Sequence, residues 1–271
     1  MRSYGKIGFI GGGNMAEAFV KGLIKGGYPA EEIIIADPSE ARRDFLNARY
    51  STAVTEENLE VVRGCDIVVL AIKPQIVDAV VSAFATEFTP DKLLISILAG
   101  VATETLEGIL GGASRVVRAM PNTPALVGEG AAGLCRGRFA SMDDLAYARR
   151  LFETFGIVRL VSEEQLDAVT GLSGSGPAYI FTVIEALADG GVQEGLTRDT
   201  ALALAIQTVL GAAHLLKESG EHPAMLRDKV CSPAGTTIAA VRVLEEKGLR
   251  ATLMEAVSVA TRRSRELGAK K

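Results

Sequence analysis

The sequence predicts an α/β N-terminal half built on a parallel sheet, residues 1–161, and an all-α C-terminal half, residues 162–271. Three observations carry this division. Short apolar runs alternate with helix-period segments from Lys6 to Val161, the pattern of βαβ units. A glycine-rich turn follows the first apolar run directly. Beyond Leu166 no strand pattern recurs, and the helical segments become long.

The elements follow in order. Apolar runs at Lys6–Ile10, Glu32–Ala36, Asp66–Ile72, Leu93–Ile97, Arg115–Ala119 and Ile157–Val161 predict strands. Consecutive apolar residues such as Ile67-Val68-Val69-Leu70 mark strands covered on both faces. Helix-period segments lie at Met15–Lys25, Val77–Phe88, Thr103–Leu110 and Asp143–Phe155. Ser141, with Asp144 three residues on, gives the last of these a capped start. In the C-terminal half, Pro177–Gly191, Thr197–Ser219, Thr236–Glu246 and Leu249–Leu267 read as helix. Thr200–Leu216 has no Asp, Glu, Lys or Arg over about 25 Å of helix. A helix apolar on every face must be covered on every face, and a half of this size cannot cover two such helices alone. A homodimer interface is therefore expected here. The stretch falls short of the roughly 20 apolar residues of a membrane span, so no membrane association is expected.

Composition narrows the function classes. The chain has 271 residues, 48% of them hydrophobic, and a formal net charge of −4. These values exclude a disordered chain. A mildly acidic balance argues against nucleic acid as a partner, because phosphate binding needs clustered Lys and Arg. Cys65, Cys135 and Cys231 are few, odd in number and widely spaced. They form neither a disulfide framework nor a metal site, and Cys231 reads as a small core residue. Met1–Lys6 leads into the first strand without the apolar core of a secretory signal. A cytoplasmic setting is expected.

The sharpest local signal is Gly8-Phe9-Ile10-Gly11-Gly12-Gly13-Asn14-Met15-Ala16. It holds G-x-G-x-x-A at Gly11, Gly13 and Ala16, after a strand and opening a helix, as dinucleotide binding requires. Gly11 allows the tight turn, Gly13 lets backbone approach a pyrophosphate, and Ala16 lets the helix lie close to the sheet. The helix start then offers N–H groups and a positive dipole end to phosphate. Asp37 lies about 20 residues further on, where an acidic side chain takes the ribose hydroxyls of NAD. Ser39, Arg42 and Arg43 offer instead a 2′-phosphate site for NADP, and both readings stand. Lys73-Pro74-Gln75 and Ala99-Gly100-Val101 follow later strands, on the edge where ligands bind. Arg118-Ala119-Met120-Pro121-Asn122-Thr123-Pro124 ends another strand, as either a rigid crossover or a site segment. Gly171–Pro177 and Ser232–Thr237 each open a helix, and the second has N–H groups and hydroxyls suited to a small carboxylate. His214 lies inside the uncharged helix as a packed residue, and His222, beside Pro223, reads as a surface turn. Neither is placed as the general acid or base that hydroxy-acid oxidation asks for. Hydride addition to a protonated imine needs orientation and burial more than a strong acid.

Five blocks occur in order: Gly8–Ala16, Ala71-Ile72-Lys73-Pro74, Arg118–Pro124, Gly171–Tyr179 and Ser232-Pro233-Ala234-Gly235-Thr236-Thr237. Together they closely resemble the pyrroline-5-carboxylate reductase family over nearly the whole chain. The resemblance implies a Rossmann-type domain followed by a helical domain that interlocks with a second subunit, in dimers that in many members assemble further into decamers. It implies reduction of 1-pyrroline-5-carboxylate to L-proline with NADPH or NADH. By position, Gly11, Gly12, Gly13, Asn14 and Met15 would hold the pyrophosphate, and Asn58 the adenosine side. Ala71, Lys73 and Ala99 would line the cofactor, with Pro74 behind Lys73. Glu163, Val230, Ser232, Gly235, Thr236 and Thr237 would surround the substrate, and Thr237 would hydrogen-bond the imine nitrogen. Two positions depart from the family. Ala234 stands where Gly is usual, and Asp37 stands where NADPH-using members often carry a small or neutral residue. A reductase of another cyclic imine or of a 3-hydroxy acid, or a cofactor sensor without catalysis, would differ in its turnover of a substrate panel.

Overall fold

The computed structural model describes residues 5–269. The chain forms two compact units. One runs through Ser175 and is rejoined by the chain from Ser258 onward; the other is Gly176–Val257.

Among the described residues, the first unit is built on an eight-stranded sheet in the order β3-β2-β1-β4-β5-β6-β7-β8. Its strands are β1 Ile7–Ile10, β2 Ile33–Ala36, β3 Ala53–Thr55, β4 Ile67–Leu70, β5 Leu93–Ser96, β6 Arg115–Met120, β7 Gly130–Arg136 and β8 Gly156–Leu160. All neighbours pair in parallel except β6 and β7. The strand order reverses between β1 and β4, which creates the crevice where doubly wound sheets bind ligands.

The apolar runs explain this sheet. Ile7 and Phe9, Ile67 and Val69, and Leu93 and Ile95 face one cluster, while Ile10, Val68, Leu70 and Leu94 face the other. Side chains alternate across a strand, so every position of these strands meets a core. The helices α1 Asn14–Lys25 and α6 Met142–Glu153 cover the first face. Phe19 of α1 meets Phe9, Phe152 and Phe155 with ring centroids 4.6–5.4 Å apart. The other connections are α2 Glu40–Tyr50, α3 Asn58–Gly64, α4 Val77–Phe84 and α5 Thr103–Leu110. The predicted cap of α6 is present: Ser141 Oγ accepts from Asp144 N, and Asp144 accepts from Ser141 N at 2.8 Å. Inside this cap, Asp144 also receives the buried Arg115 guanidinium at 2.6 Å.

The sequence reading missed β3 and β7 among the strands. β3 has only three residues and lies at the sheet edge. β7 reads Gly-Ala-Ala-Gly-Leu-Cys-Arg, poor in the branched and aromatic residues that mark strands. Its small residues serve close packing: a Cβ on Gly133 would lie 2.9 Å from Val169. Gly171–Pro177, expected to open a helix, begins inside one. After the short helix α7 Leu166–Val169, Thr170–Gly174 continues as a π-helical turn. Thr170 and Ser173 donate their hydroxyls to the carbonyls of Leu166 and Val169.

The second unit is helical throughout: α8 Gly176–Gln193, α9 Arg198–Ser219, α10 Pro223–Val230, α11 Thr236–Glu246 and the start of α12 Leu249–Ala269. Helices α8 and α9 approach through Ala188, Ala201 and Ala205. The remainder of α9 is bare. Only 11% of its most apolar stretch is buried, and Leu204, Ile206, Leu210 and Leu215 are exposed. By length and composition alone this helix could span a membrane. His214 is exposed as well, not packed within the chain as the sequence suggested. His222 instead caps α10, its Nδ1 accepting from Ala224 N at 3.2 Å.

Phe19 joins the sheet to both aromatic residues at the end of α6. Replacing it with Ala is expected to cost about 3–5 kcal/mol, read as a lower urea midpoint; a loss below about 1 kcal/mol would show that the cluster collapses to fill the space.

Candidate functional site

The predicted cofactor residues gather on one edge of the sheet. Gly11–Met15 follow β1, Asp37 and Ser39 follow β2, Asn58 opens α3 after β3, Ala71–Pro74 follow β4, and Ala99 follows β5. All these strands run parallel, so their C-terminal ends share a side.

The turn at Gly11 is forced. Its φ is +95°, and a Cβ there would lie 2.5 Å from the Ala71 carbonyl oxygen. Only glycine accepts both constraints. The main chain is locked on either side, with Gly11 N donating to Ala36 O at 2.8 Å and Ala71 N to Ile10 O at 2.9 Å. Gly13 differs. It has ordinary extended backbone, and a Cβ there would meet nothing within 4 Å. Its small size is not needed by the protein itself, which leaves space for a ligand against the start of α1. Ala16 is buried against the sheet.

Asp37 ties the end of β2 to the glycine-rich turn. One carboxylate oxygen accepts from Gly12 N at 2.8 Å and the other from Ser39 N at 2.9 Å. An ionised carboxylate has about four acceptor positions, so two can still receive ribose hydroxyls. Ser39 caps α2. Both arginines have partners of their own. Arg42 pairs with Glu17 at 2.6 Å, and Arg43 donates to Asp37 O at 2.8 Å while lying 3.6 Å from Glu56. Lys73 is exposed at the end of the β4 loop, and Asn58 is half-buried.

The substrate candidates fall into two groups. Val230 ends α10, and Ser232–Thr237 form the turn into α11. Gly235 N donates to Ser232 O at 3.0 Å and caps α11, while a Cβ on Gly235 would strike Ser232 Oγ. The first N–H groups of α11 are thus left for a ligand, beside the hydroxyls of Ser232, Thr236 and Thr237. Ala234 holds φ +56°, a left-handed conformation that disfavours a Cβ. This is the physical reason glycine suits the position. Glu163 belongs to the first unit. It accepts from Thr103 N and Thr103 Oγ1 at 2.7 Å each and pairs with buried Arg118 at 3.2 Å.

Other sequence candidates have internal tasks. Asn122 accepts from Ala131 N at 2.8 Å and donates to Ser173 O at 3.1 Å, so it bolts β6 and β7 to the π-helical turn. Gly100 packs against the end of α12, where Ser264 Oγ donates to Asp167 at 2.6 Å. Burial pushes the Cys65 thiol to about 11 and that of Cys135 to about 12, so neither is a ready nucleophile. Cys231 is half-buried rather than a core residue. Sequence reasoning missed Glu17 and Tyr50, which complete the Arg42 pairing; no motif marks them.

Residues 163–267 match the family model described as pyrroline-5-carboxylate reductase dimerisation. Residues 6–100 match the model described as NADP oxidoreductase, coenzyme F420-dependent. A pyrroline-5-carboxylate reductase of Synechocystis is 49% identical over 98% of this chain and 99% of its own. A solved pyrroline-5-carboxylate reductase from Coxiella burnetii is 41% identical, with TM-score 0.91 over 98% of this chain and 99% of that one. A Plasmodium falciparum pyrroline carboxylate reductase solved with NADP bound is 34% identical, with TM-score 0.89 over 97% and 98% of the two chains.

Two substitutions test the site. Gly13→Ala should change stability by less than about 1 kcal/mol yet weaken NADH and NADPH binding about tenfold or more, read by calorimetric titration; unchanged affinity would put the pyrophosphate elsewhere. Ala234→Gly should relieve about 1–2 kcal/mol of left-handed strain against a chain-entropy cost of about 0.5–1 kcal/mol, giving a higher melting temperature.

Proposed function

The chain belongs to the pyrroline-5-carboxylate reductase family, and from that premise we propose that it reduces the imine of 1-pyrroline-5-carboxylate to L-proline, the last step of proline biosynthesis. The observation that carries this reading is a relationship of 49% identity over 98% of the chain. It covers the glycine-rich loop and the Ser232–Thr237 helix start together.

A bound nicotinamide dinucleotide, NADPH or NADH, would supply the hydride. Gly11–Met15 hold its pyrophosphate on backbone N–H groups at the start of α1. Asp37 and Ser39 face the adenosine ribose, with Asn58 on the adenosine side. Ala71, Lys73, Pro74 and Ala99 line the remaining length of the cofactor. The N–H groups of α11 and the hydroxyls of Ser232 and Thr236 take the substrate carboxylate, with Gly235 giving it close approach and Val230 packing beside the ring. Thr237 hydrogen-bonds the ring nitrogen and orients the imine carbon, which is the catalytic contribution the chain itself makes. Glu163, whose carboxylate already serves Thr103 and Arg118, enters as a positioning residue beside the substrate. No histidine is required, because the nitrogen carries its own proton when the imine is protonated.

The working form is a homodimer in a cytoplasmic setting. The support is the match of residues 163–267 to a dimerisation model and the apolar surface of α9. In this reading that surface faces a second copy rather than lipid. The family resemblance carries the further expectation of decamers built from such dimers, which sedimentation of the native protein tests.

Loss of nicotinamide absorbance on adding 1-pyrroline-5-carboxylate tests the reaction; silence with both cofactors bound would overturn it. Thr237→Ala should lower kcat about 100-fold while cofactor affinity changes by less than about threefold, and Thr237→Ser should restore part of the rate. Unchanged turnover would remove Thr237 from the mechanism.

A further inference from the structure

The ribose pocket contains an ion pair that the reaction does not use. Glu17 lies in the first turn of α1, on the helix that begins at the pyrophosphate loop. Its Oε2 receives Arg42 at 2.6 Å and its Oε1 receives the Tyr50 hydroxyl at 2.9 Å. Arg42 is further committed through Nε to the Gly12 carbonyl, and its guanidinium stacks 4.9 Å from the Phe45 ring centre. The pair is mostly buried, with side-chain exposures of 23% and 15%. Burial works against ionising Glu17, but the hydrogen bonds from Arg42 and Tyr50 outweigh it and hold the carboxyl below its ordinary range.

This arrangement bears on the cofactor's adenosine ribose. Gly12 is bracketed, its N–H donating to Asp37 and its carbonyl accepting from Arg42. A 2′-phosphate at Asp37 would be a near-dianion beside a carboxylate and would need a cation free to turn toward it. Arg43 is tied to the Asp37 carbonyl and lies 3.6 Å from Glu56, and Arg42 can turn only by leaving the mostly buried Glu17 charge with the Tyr50 hydroxyl alone. A 2′-hydroxyl makes no such demand, since it can donate to Asp37 directly.

We propose that Glu17 is a specificity-determining residue: by holding Arg42, it biases the ribose pocket against a 2′-phosphate and toward an unphosphorylated dinucleotide. The inference rests on the dinucleotide-site reading above. Glu17 acts through Arg42 and is a positioning residue, so the readout is selectivity in binding rather than rate.

The test is titration of the purified protein with NADPH and with NADH, without substrate, by calorimetry or nicotinamide fluorescence. In Glu17→Gln the ratio Kd(NADPH)/Kd(NADH) should fall about tenfold or more, almost wholly through tighter NADPH binding. Tyr50→Phe, which leaves every charge in place, should move the ratio in the same direction by about threefold. Adding Arg42→Ala to Glu17→Gln should abolish the gain. A ratio that moves less than about twofold in both single variants, or equal shifts for both cofactors, would overturn the role of Glu17. Failure of the native protein to bind either cofactor would instead overturn the dinucleotide-site reading itself.

Discussion

The structure turns on one close approach, that of the Gly11 backbone to the Ala71 carbonyl at the switch point between β1 and β4. A side chain at Gly11 would separate the two strand ends. Because they stay together, β1 ends in register with Leu70 of β4 and with Ala36 of β2. That register sets where α1 begins, and the start of α1 sets where free N–H groups point. Asp37 is held in the same frame by Gly12 N. The Gly11–Met15 turn and the Asp37 segment are therefore one rigid object built on the sheet, rather than two loops that must find each other. Preorganisation of this kind is what lets a backbone site hold a charged ligand without a large ordering cost.

The buried charges of β6 follow the same economy. Arg115 enters the capping box of α6 and meets Asp144, and Arg118 meets Glu163, which also accepts from Thr103. Each guanidinium lies on β6 and each carboxylate at a helix or turn start, so the pairs fix those starts to the sheet. Removing one partner would leave a buried charge. Their value is register and orientation more than net stability.

Much of this was legible in the sequence, for physical reasons. Strands buried on both faces read as continuous apolar runs, so β1, β2, β4, β5 and β6 stood out. The glycine fingerprint was legible because only glycine satisfies φ +95° at the Gly11 turn. Asp37 was legible from spacing, and the departure at Ala234 marked a position that is left-handed. What the sequence hid depends on tertiary contact. β7 is built of Gly and Ala because α7 presses on it, which erases the strand pattern. The π-helical turn at Thr170–Gly174 looks like a glycine-rich loop until its hydroxyls are seen bonded back along the helix. The pairing of Glu17 with Arg42 joins residues on different helices, and no one-dimensional pattern reports it.

The helical unit makes the converse argument. Its own core consists of Ala188, Ala201 and Ala205, with Ile184 and Val192 packed against them. Small residues let α8 and α9 approach closely but bury little apolar area, roughly 25 cal/mol for each Å². Leu204, Ile206, Leu210 and Leu215 remain outside. A monomer with that surface exposed would lose the stabilisation its composition was built for and would present a patch prone to non-specific contact. A second copy carries the same face, and a two-fold axis lets each copy cover the other with identical residues. The dimerisation match over residues 163–267 fits this requirement. Self-association is then part of how this half of the chain completes its core.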